Sequence, residues 1–405
     1  MELHLAEWTA YLIRWLHLIF GISWIGSSFY FMWLDASLEP PVKDKPDVEG
    51  ELWMVHSGGF YEVERKRIGP GSMPAKLHWF KYEALFTWVS GMCLLAVAYY
   101  LNAAAFMVDP GVAQVHPHVA VTVSIVALFA SWFIYDGLWQ SPVGKKYPGI
   151  ATAATLVLSA GAALGFCSYL SGRAAFIHVG AMFGTWMVAN VWIRILPAQQ
   201  KMVDATKEGR TPDFAHSARA KRRSVHNTYM TYPVLFMMLS NHYSHTYSGV
   251  WNWVTLILLI VLGAAIRHVM VAKNGSGRWA AGPAALAAVA LVALAATYAQ
   301  KPSGAAPGLV AVDSGPPVPF SQVHSIINSR CVSCHATNPA ITTFGPTPGG
   351  VQFDTPERIR SLAERIKIRA VTTKTMPLAN QTQITEDERT LLGRWIDQGA
   401  KIQTP

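Results

Sequence analysis

Charged residues are scarce in this sequence, and so are cysteines. Asp, Glu, Lys and Arg make up 14% of its 405 residues, compared with about 25% in a typical soluble domain. Hydrophobic residues make up 51% and recur in runs long enough to cross a bilayer, which takes about 20 residues. This composition argues against an ordinary soluble domain and predicts a membrane protein.

The formal net charge of +9 at pH 7 does not indicate a nucleic-acid-binding protein. The lysines and arginines lie in the gaps between the apolar runs, where basic residues fix the orientation of membrane helices. We therefore predict the lipid bilayer as a partner, and no nucleic acid.

Only four cysteines occur, and their placement argues against a disulfide framework. Cys93 and Cys167 lie in separate apolar segments and are predicted to be small core residues. Cys331 and Cys334 are separated by two residues and are followed directly by His335, so this pair needs a different explanation.

The Cys-x-x-Cys-His motif is typical of covalent attachment of a c-type haem. Both thiols form thioethers with the porphyrin, and the adjacent imidazole of His335 becomes a ligand of the iron. Met376, stiffened by Pro377, is the candidate for the second axial ligand. The alternative, a zinc-binding or disulfide Cys-x-x-Cys, leaves His335 and Met376 unexplained.

Helices are predicted on both sides of this motif. Residues 320–327 form a short amphipathic run before it, and residues 384–400 form a terminal helix with an apolar stripe. Thr385 and Glu388 have the spacing of a capping box at the start of the terminal helix. Residues 319–405 are therefore predicted to be a small cytochrome c domain.

The rest of the chain predicts an all-α bundle of eight transmembrane helices within residues 1–300. The predicted spans are residues 8–34, 77–101, 118–138, 150–170, 174–196, 228–247, 249–271 and 280–300. Residues 36–76 form a cytoplasmic insertion with a short hairpin around Ser57-Gly58-Gly59. Residues 301–318, rich in Pro, Gly, Ser and Ala, are predicted to be a periplasmic linker.

The loop charges predict the orientation of the bundle. The connections after the first, third, fifth and seventh spans carry nearly all of the loop lysines and arginines. Because basic loops stay in the cytoplasm, both termini are placed in the periplasm. Haem c is attached outside the bacterial cytoplasm, so the motif independently requires the same side. The predicted location is the bacterial inner membrane.

Ionisable residues inside a span mark functional sites by default. One group lies near the predicted periplasmic side and comprises Arg14, His17, His178, His242 and His245. Gly21, one turn after His17, leaves room for a flat macrocycle, and Arg14 is placed to meet a propionate. We predict a haem b with His17 as one ligand and His178 or His242 as the other. Hydrogen bonding between helices is the alternative explanation.

A second group lies near the predicted cytoplasmic side. It comprises Asp35, His78, Lys81, Glu83, Asp136, Asn190, Arg194, His226, Asn227, Arg267 and His268. Such a set of acids, bases and amides can bind a small planar anion and move its protons. The alternative is that side chains at the ends of spans simply reach the interface.

With these residues in view, the chain resembles the membrane-bound, cytochrome c-fused urate oxidase family along essentially its whole length. The matching stretches are residues 15–26, 53–61, 78–84, 180–192 and 233–243. The first stretch is less specific, since it is also similar to haem-binding membrane protoporphyrinogen oxidases and to copper-resistance membrane proteins.

The resemblance implies oxidation of urate to 5-hydroxyisourate, with electrons leaving through the cytochrome to a soluble cytochrome c or a terminal oxidase. The inner polar group then supplies the candidate catalytic residues, which are His78, Glu83, Asn190, Arg194, His226 and His268. Glu83 or a histidine is the expected proton acceptor.

Three other functions fit the same pattern. One is a different cytochrome-linked membrane dehydrogenase, for instance of a quinol, and another is a copper-handling protein that binds metal at the membrane histidines. The third is an electron-transfer subunit whose catalytic partner is another chain. The sequence also leaves homo-oligomerisation open.

A haem assay on the purified chain tests the cofactor prediction. In alkaline pyridine, we expect one haem that stays covalently attached to the polypeptide and a second haem b that organic solvent extracts, because only the former is held by thioethers. A chain with no bound porphyrin would contradict the prediction.

Overall fold

The computed structural model describes residues 2–42, 45–70, 73–109, 112–243, 246–247, 251–272, 281–299, 316–341, 351–372 and 374–402. It is mostly helical, with one two-stranded sheet. The all-α class is therefore confirmed. His245, most of the predicted linker and several loop residues lie outside the described residues.

The first three hundred residues contain eleven α-helices among those described. They are α1 (Glu2–Ser37), α2 (Tyr82–Leu95), α3 (Ala103–Phe106), α4 (Pro117–Gln140), α5 (Pro142–Lys146), α6 (Pro148–Tyr169), α7 (Gly172–Ala189), α8 (Leu196–Lys207), α9 (Phe214–Ser240), α10 (Asn252–Ala272) and α11 (Ala281–Ala299). Two π-helical segments, Ala96–Tyr100 and Asn190–Ile195, continue α2 and α7.

Six helices in the described part of the chain are long and apolar enough to cross a membrane. They cover Trp8–Ser37, Tyr82–Tyr100, Pro117–Gln140, Pro148–Tyr169, Gly172–Lys207 and Asn252–Met270. The remaining two predicted spans lie in α9, whose first half is strongly basic, and in the shorter apolar α11. The long apolar helices indicate a membrane protein.

Helix α7 forms the centre of the bundle and packs against α2, α4, α6 and α9. Most of its side chains are buried, on every face of the helix. His178, Met182 and Trp186, together with Asn190 in the π-helical segment that follows, lie at four-residue spacing along one of these faces. A helix that is buried all round has neighbours on every face. By contrast, α1 packs mainly on α2 and exposes large apolar side chains along most of its length.

Three predicted helix boundaries are wrong. Helix α9 begins at Phe214, where Asp213 caps it by accepting a hydrogen bond from the Ala215 N–H, so residues assigned to a loop are helical. It ends at Ser240, so His242 lies in an exposed turn beyond the helix instead of within a span. Helix α2 begins only at Tyr82, which leaves His78 exposed before it.

The insertion between α1 and α2 contains an antiparallel hairpin. Strand β1 (Val48–His56) pairs with β2 (Gly59–Lys66), and the chain turns at Ser57 and Gly58, both at positive φ. Lys45 donates hydrogen bonds to Glu64, Glu51 and Glu62 on one face of the hairpin, and these bonds raise the pKa of its ammonium group above its ordinary value.

The C-terminal residues have a hydrophobic core of their own. Helices α12 (Phe320–Arg330), α13 (Pro356–Ser361), α14 (Ala363–Ile366) and α15 (Glu386–Asp397) surround it, with a π-helical segment Lys367–Thr372 and a 3-10 turn Leu378–Asn380. Ile327, Leu392 and Trp395 are fully buried in this core.

The predicted capping box is confirmed at the start of α15. The Glu388 N–H donates to Thr385 Oγ1, and the Thr385 N–H donates to Glu388 Oε2 at 2.7 Å. Arg330 at the end of α12 also donates to the Glu388 carboxylate through Nε and Nη2, at 3.1 and 3.0 Å. Glu388 therefore joins the capping box to α12.

Replacing Glu388 by Gln tests this connection. Partial burial raises the pKa of the carboxyl, but the hydrogen bonds from Thr385 and Arg330 outweigh it and hold the pKa below its ordinary value. The ionised group therefore stabilises the fold above its unfolded pKa, and this contribution disappears as the pH falls through the folded pKa. We expect Glu388→Gln to destabilise α15 by about 1 kcal/mol at pH 7.

Amide hydrogen exchange in residues 386–397 of the full chain measures the effect, as roughly five-fold faster exchange for about 1 kcal/mol. The difference between the variant and the wild type should shrink as the pH falls below about 4 and through the lowered folded pKa of Glu388, because the wild-type side chain then also becomes neutral. Asp387→Asn, at an exposed position of the same first turn, is the control and should change exchange much less. Equal effects of the two substitutions would show that the capping box contributes nothing specific.

Candidate functional site

The inner polar residues meet around the π-helical segment Asn190–Ile195. Pro197, shortly after this segment, has no N–H to continue the α-helical ladder, and π-segments are common where a helix serves a functional site. Asn190 and Arg194, four residues apart in this segment, both contact α4. Asn190 Nδ2 lies 3.2 Å from the Tyr135 hydroxyl, and Arg194 Nε lies 3.0 Å from Asp136 Oδ1.

The orientation of the Asn190 amide follows from its neighbours. Asn227 Nδ2 donates to the Met187 carbonyl at 2.9 Å, so Asn227 Oδ1 must be the atom that faces Asn190. That oxygen accepts a hydrogen bond from Asn190 Nδ2 at 2.8 Å. Asn190 Oδ1 is left buried, with no hydrogen-bond partner among the described residues.

Tyr135 links this amide pair to a histidine. Its hydroxyl accepts a hydrogen bond from Asn190, so it donates its own proton to His226 Nδ1, 2.7 Å away. The Tyr135 ring stacks on Trp186, with centroids 4.6 Å apart and planes 8° apart, while Trp139 lies 4.1 Å from the His226 ring. Two indoles thus shield a directed phenol–imidazole pair from water.

Asp136 lies between two arginines. Arg194 contacts it through Nε and Nη2, and Arg223 on α9 donates through Nη2 at 2.6 Å. Arg223 Nη1 is buried and has no acceptor in the described part of the chain, and the guanidinium lies 5.0 Å from the Tyr135 ring centroid. One carboxylate against two guanidinium groups leaves a net positive charge, which favours a bound anion.

The other candidate residues of the inner group lie apart from Tyr135. His268 Nδ1 pairs with the Tyr229 hydroxyl at 2.6 Å, and Arg267 lies 4.1 Å from the Tyr229 ring centroid. His78 is exposed and packs edge-on against Phe80. The structure therefore brings together Asn190, Arg194 and His226, but places His78 and His268 elsewhere.

Glu83 lies in the first turn of α2, next to Tyr82, whose ring centroid is 6.2 Å from that of Trp192 in the π-helical segment. Glu83 Oε2 is buried and has no hydrogen-bond partner among the described groups, and the same holds for Trp192 Nε1. The start of α2 therefore faces the Asn190–Ile195 segment with unsatisfied polar atoms on both sides.

His178 is the most deeply buried member of the outer group. Its Nδ1 lies 2.7 Å from the Ala174 carbonyl, which must accept the proton, so Nε2 carries the lone pair. The rings of Tyr99, Tyr100 and Phe166 surround it at 5.7 to 6.1 Å. Within the described structure Nε2 has no partner, which fits an axial ligand of a haem.

His17 does not lie opposite His178. Its Nδ1 is 2.9 Å from the Thr87 carbonyl and 3.1 Å from Ser90 Oγ, and the ring fills the space beside Gly91, where a Cβ would approach it to 2.9 Å. His17 thus contacts α2 about ten residues before Tyr99 and Tyr100, a rise of about 15 Å. Two ligands of one iron lie only about 4 Å apart, so the predicted pairing is wrong in this arrangement.

The other predicted features of this haem site also differ. A Cβ added at Gly21 would lie 4.0 Å from Thr87 Cγ2, an ordinary contact distance, so α2 occupies the space beside this glycine that a macrocycle would need. Arg14 is exposed. His242 follows Asn241, whose Oδ1 accepts a hydrogen bond from the Tyr99 hydroxyl at 3.0 Å. His242 therefore lies near the level of Tyr99, whereas His17 contacts the chain at Thr87, about three helical turns earlier.

The C-terminal motif has the donor atoms that haem c attachment requires. Cys331 and Cys334 are free thiols, and burial raises the pKa of Cys331 to about 12. His335 Nδ1 lies 3.2 Å from the Val351 carbonyl, so the lone pair is on Nε2, and burial lowers the pKa of this imidazole and keeps it neutral. Neutral Nε2 is the form that binds iron.

Arg389 lies close to both Met376 and the Cys-x-x-Cys-His motif. The buried guanidinium donates to the Met376 carbonyl at 2.9 Å and is near enough to the Cys331 thiol to affect its pKa. The turn Leu378–Asn380, just after Met376, contacts α3 of the bundle, where Phe106 packs against Tyr99 at 6.0 Å. The C-terminal core therefore lies against the end of the bundle that contains His178.

The sequence did not identify two residues of the inner cluster. Tyr135 was treated as part of an apolar span, and Arg223 was counted among the basic residues of a loop. The signal available was helical spacing, because Arg223, His226 and Asn227 fall on one face of a helix. This spacing is informative only if α9 is known to begin before residue 223, as it does in the structure.

These features define a helical membrane protein with a buried, positively charged polar cluster and a separate C-terminal core. A family model described as "Urate oxidase N-terminal" matches residues 3–299. The chain belongs to this family, which implies an oxidoreductase that acts on urate or a related compound. The C-terminal core lies outside the matched region. No curated protein and no solved structure matches the chain.

Replacing Asp136 by Asn tests whether this carboxylate holds the cluster together. The change leaves two guanidinium groups without their shared anion in a buried position, and we expect a loss of about 3 kcal/mol. The measurement is the apparent melting temperature of the purified chain in detergent.

Asp35→Asn is the matched control, because Asp35 also lies between two cations, Arg65 and Lys221, but on the exposed surface. There we expect a loss below about 0.5 kcal/mol. Melting temperatures that fall by the same amount in both variants would count against a special role for Asp136.

Proposed function

We propose that this protein is a membrane-bound urate oxidase that passes its electrons to a haem c attached to its own C-terminal domain. The reaction is urate plus water giving 5-hydroxyisourate, two protons and two electrons. The observation that carries the proposal is the buried cluster of Asn190, Tyr135, His226 and Arg223, which combines net positive charge with a directed proton pathway, in a chain of the urate oxidase N-terminal family.

The cluster suits urate, which is a planar monoanion near neutral pH. Arg194 and Arg223 balance its charge, and Asn190 offers a hydrogen-bonding edge at the same point. Glu83, at the start of α2, has a buried carboxylate oxygen without a partner among the described residues and helps to bind or deprotonate the ring. His78 and His268 are not among the proposed substrate contacts, because they pack on Phe80 and Tyr229 instead.

Proton removal uses Tyr135 and His226. When a urate N–H gives its proton to the Tyr135 oxygen, the phenol proton passes to His226 Nδ1 along the existing 2.7 Å hydrogen bond. The imidazole then carries the charge and the phenol is neutral again. A water molecule adds to the oxidised ring at C5, and its proton is the second one released.

The electrons leave at the opposite end of the bundle. Cys331, Cys334, His335 and Met376 would hold a haem c, which would supply a one-electron acceptor for each of the two electrons of urate. A soluble cytochrome c or a terminal oxidase then receives them. His178 Nε2, which is buried and has no partner among the described residues, is the atom of the bundle that would bind a haem b between the two ends.

The proposed orientation places the polar cluster at the cytoplasmic face. Arg222, next to Arg223, donates to the Gly144 carbonyl in α5, which carries Lys145 and Lys146. Basic residues thus collect at the same end as the cluster, as cytoplasmic ends do. With α9 and α11 counted as spans, eight crossings leave both termini in the periplasm.

The experiment is anaerobic addition of urate to the purified chain, followed by the absorption bands of reduced c-type haem. We expect urate to reduce the haem without any second protein, and a quinol to fail under the same conditions. Tyr135→Phe should slow the reduction by about 100-fold, because the proton then has no acceptor.

Tyr229→Phe is the matched control, since Tyr229 forms an equally short hydrogen bond with His268 away from the cluster. Its rate should stay close to that of the wild type. Haem that remains oxidised when urate is added would exclude the proposed reaction, and equal slowing in the two variants would exclude the role given to Tyr135.

A further inference from the structure

Two unsatisfied polar atoms belong to side chains that contact Tyr135, whose hydroxyl lies 3.2 Å from Asn190 Nδ2 and whose ring centroid lies 5.0 Å from the Arg223 guanidinium. They are Asn190 Oδ1, an acceptor, and Arg223 Nη1, a donor, and both side chains are at least nine-tenths buried, with exposures of 0% and 4%. Leaving such an atom unpaired in a protein interior costs about 1 to 3 kcal/mol. Two in one cluster, beside a net positive charge, point to a ligand that satisfies both.

Arg194 is not an equivalent donor. Its Nε and Nη2 are both engaged by Asp136, and its side chain is 37% exposed. Arg223 uses only Nη2 of its planar fork for the same carboxylate, and its buried Nη1 has no acceptor among the described residues. A fork of this kind recognises a planar acceptor edge better than a point charge does. Asn190 is fixed by two hydrogen bonds from its amide nitrogen, so its oxygen cannot rotate away.

We propose that Asn190 and Arg223 together bind one edge of the six-membered ring of urate. In this arrangement Asn190 Oδ1 accepts a hydrogen bond from N1–H, and Arg223 Nη1 donates a hydrogen bond to the C2 oxygen. The inference rests on the proposed function and adds the orientation of the substrate. An N–H beside a carbonyl is the complement of an acceptor beside a donor.

Charge decides between the two edges of the purine. Urate also has N–H groups beside the C8 carbonyl, but its monoanion has lost the proton at N3, so the negative charge is shared with the C2 oxygen. Arg223, in a cluster with an excess of positive charge, pairs best with that oxygen. This choice leaves the five-membered ring free of contacts with Asn190 and Arg223.

Methylated urates test the orientation. A methyl group on N1 removes the proton that Asn190 accepts and fills the space beside it, whereas a methyl group on N9 lies on the other ring. In the detergent-purified full chain, kcat/KM should fall by about 100-fold or more for 1-methylurate and by less than about 10-fold for 9-methylurate. Asn190→Ala should bring urate and 1-methylurate to within about 10-fold of each other, because the acceptor is gone and space has opened.

Two arginine variants test the donor without depending on that substitution. Arg223→Lys keeps a cation beside Asp136 but loses the free donor of the fork, and KM for urate should rise by about 10- to 100-fold with a smaller change in kcat. Arg267→Lys is the matched control, because Arg267 is also a buried arginine but donates to Thr228 and packs on Tyr229, and it should alter KM by less than about 3-fold.

The outcomes separate this inference from the proposed function. A chain that oxidises no urate refutes the proposed function. A chain that oxidises urate and 1-methylurate equally well, or that loses affinity equally in Arg223→Lys and Arg267→Lys, refutes only the orientation. Discrimination against 9-methylurate in place of 1-methylurate would assign the contact to the five-membered ring.

Discussion

The arrangement depends on the Asp136 carboxylate, shared by Arg194 and Arg223. It joins α4 to α9 and to the π-helical extension of α7, three elements that are distant in sequence. An isolated guanidinium is costly in a low-dielectric interior, so the buried Arg223 needs this anion more than the partly exposed Arg194 does. With both arginines fixed, Asn190 is held against Tyr135, and Tyr135 against His226. The polar cluster is thus a consequence of one shared ion pair.

Local features of the fold were predictable because they depend on neighbouring residues. The capping box of Thr385 and Glu388 and the hairpin turn at Ser57 and Gly58 follow from spacing alone. Tyr135 and Arg223 could not be assigned in this way, because their partners lie on other helices and no periodicity connects them. Arg223 also looked like one of many loop charges, since the charge-rich first half of α9 obscured where the helix begins.

The histidines predicted as haem ligands show the same limit, because the sequence alone does not place a residue relative to the other helices. His17 and His178 both looked like ligands of one haem, because each is an ionisable residue in an apolar helix. The sequence gives only approximate depth, and the height at which each meets α2 became clear from the contacts with Thr87 and Tyr100. His17 is satisfied by hydrogen bonds between helices, whereas His178 retains an unused lone pair.

The continuous helix Gly172–Lys207 has a consequence for how a polar substrate reaches its site. Its 36 residues extend about 54 Å, well beyond the hydrocarbon thickness of about 30 Å. If Gly172 marks one membrane surface, Asn190 lies about 27 Å along the helix, at the other surface. A purine anion therefore need not dissolve in lipid or pass through a long channel; it leaves water only at the rim, where shedding its hydration shell costs least.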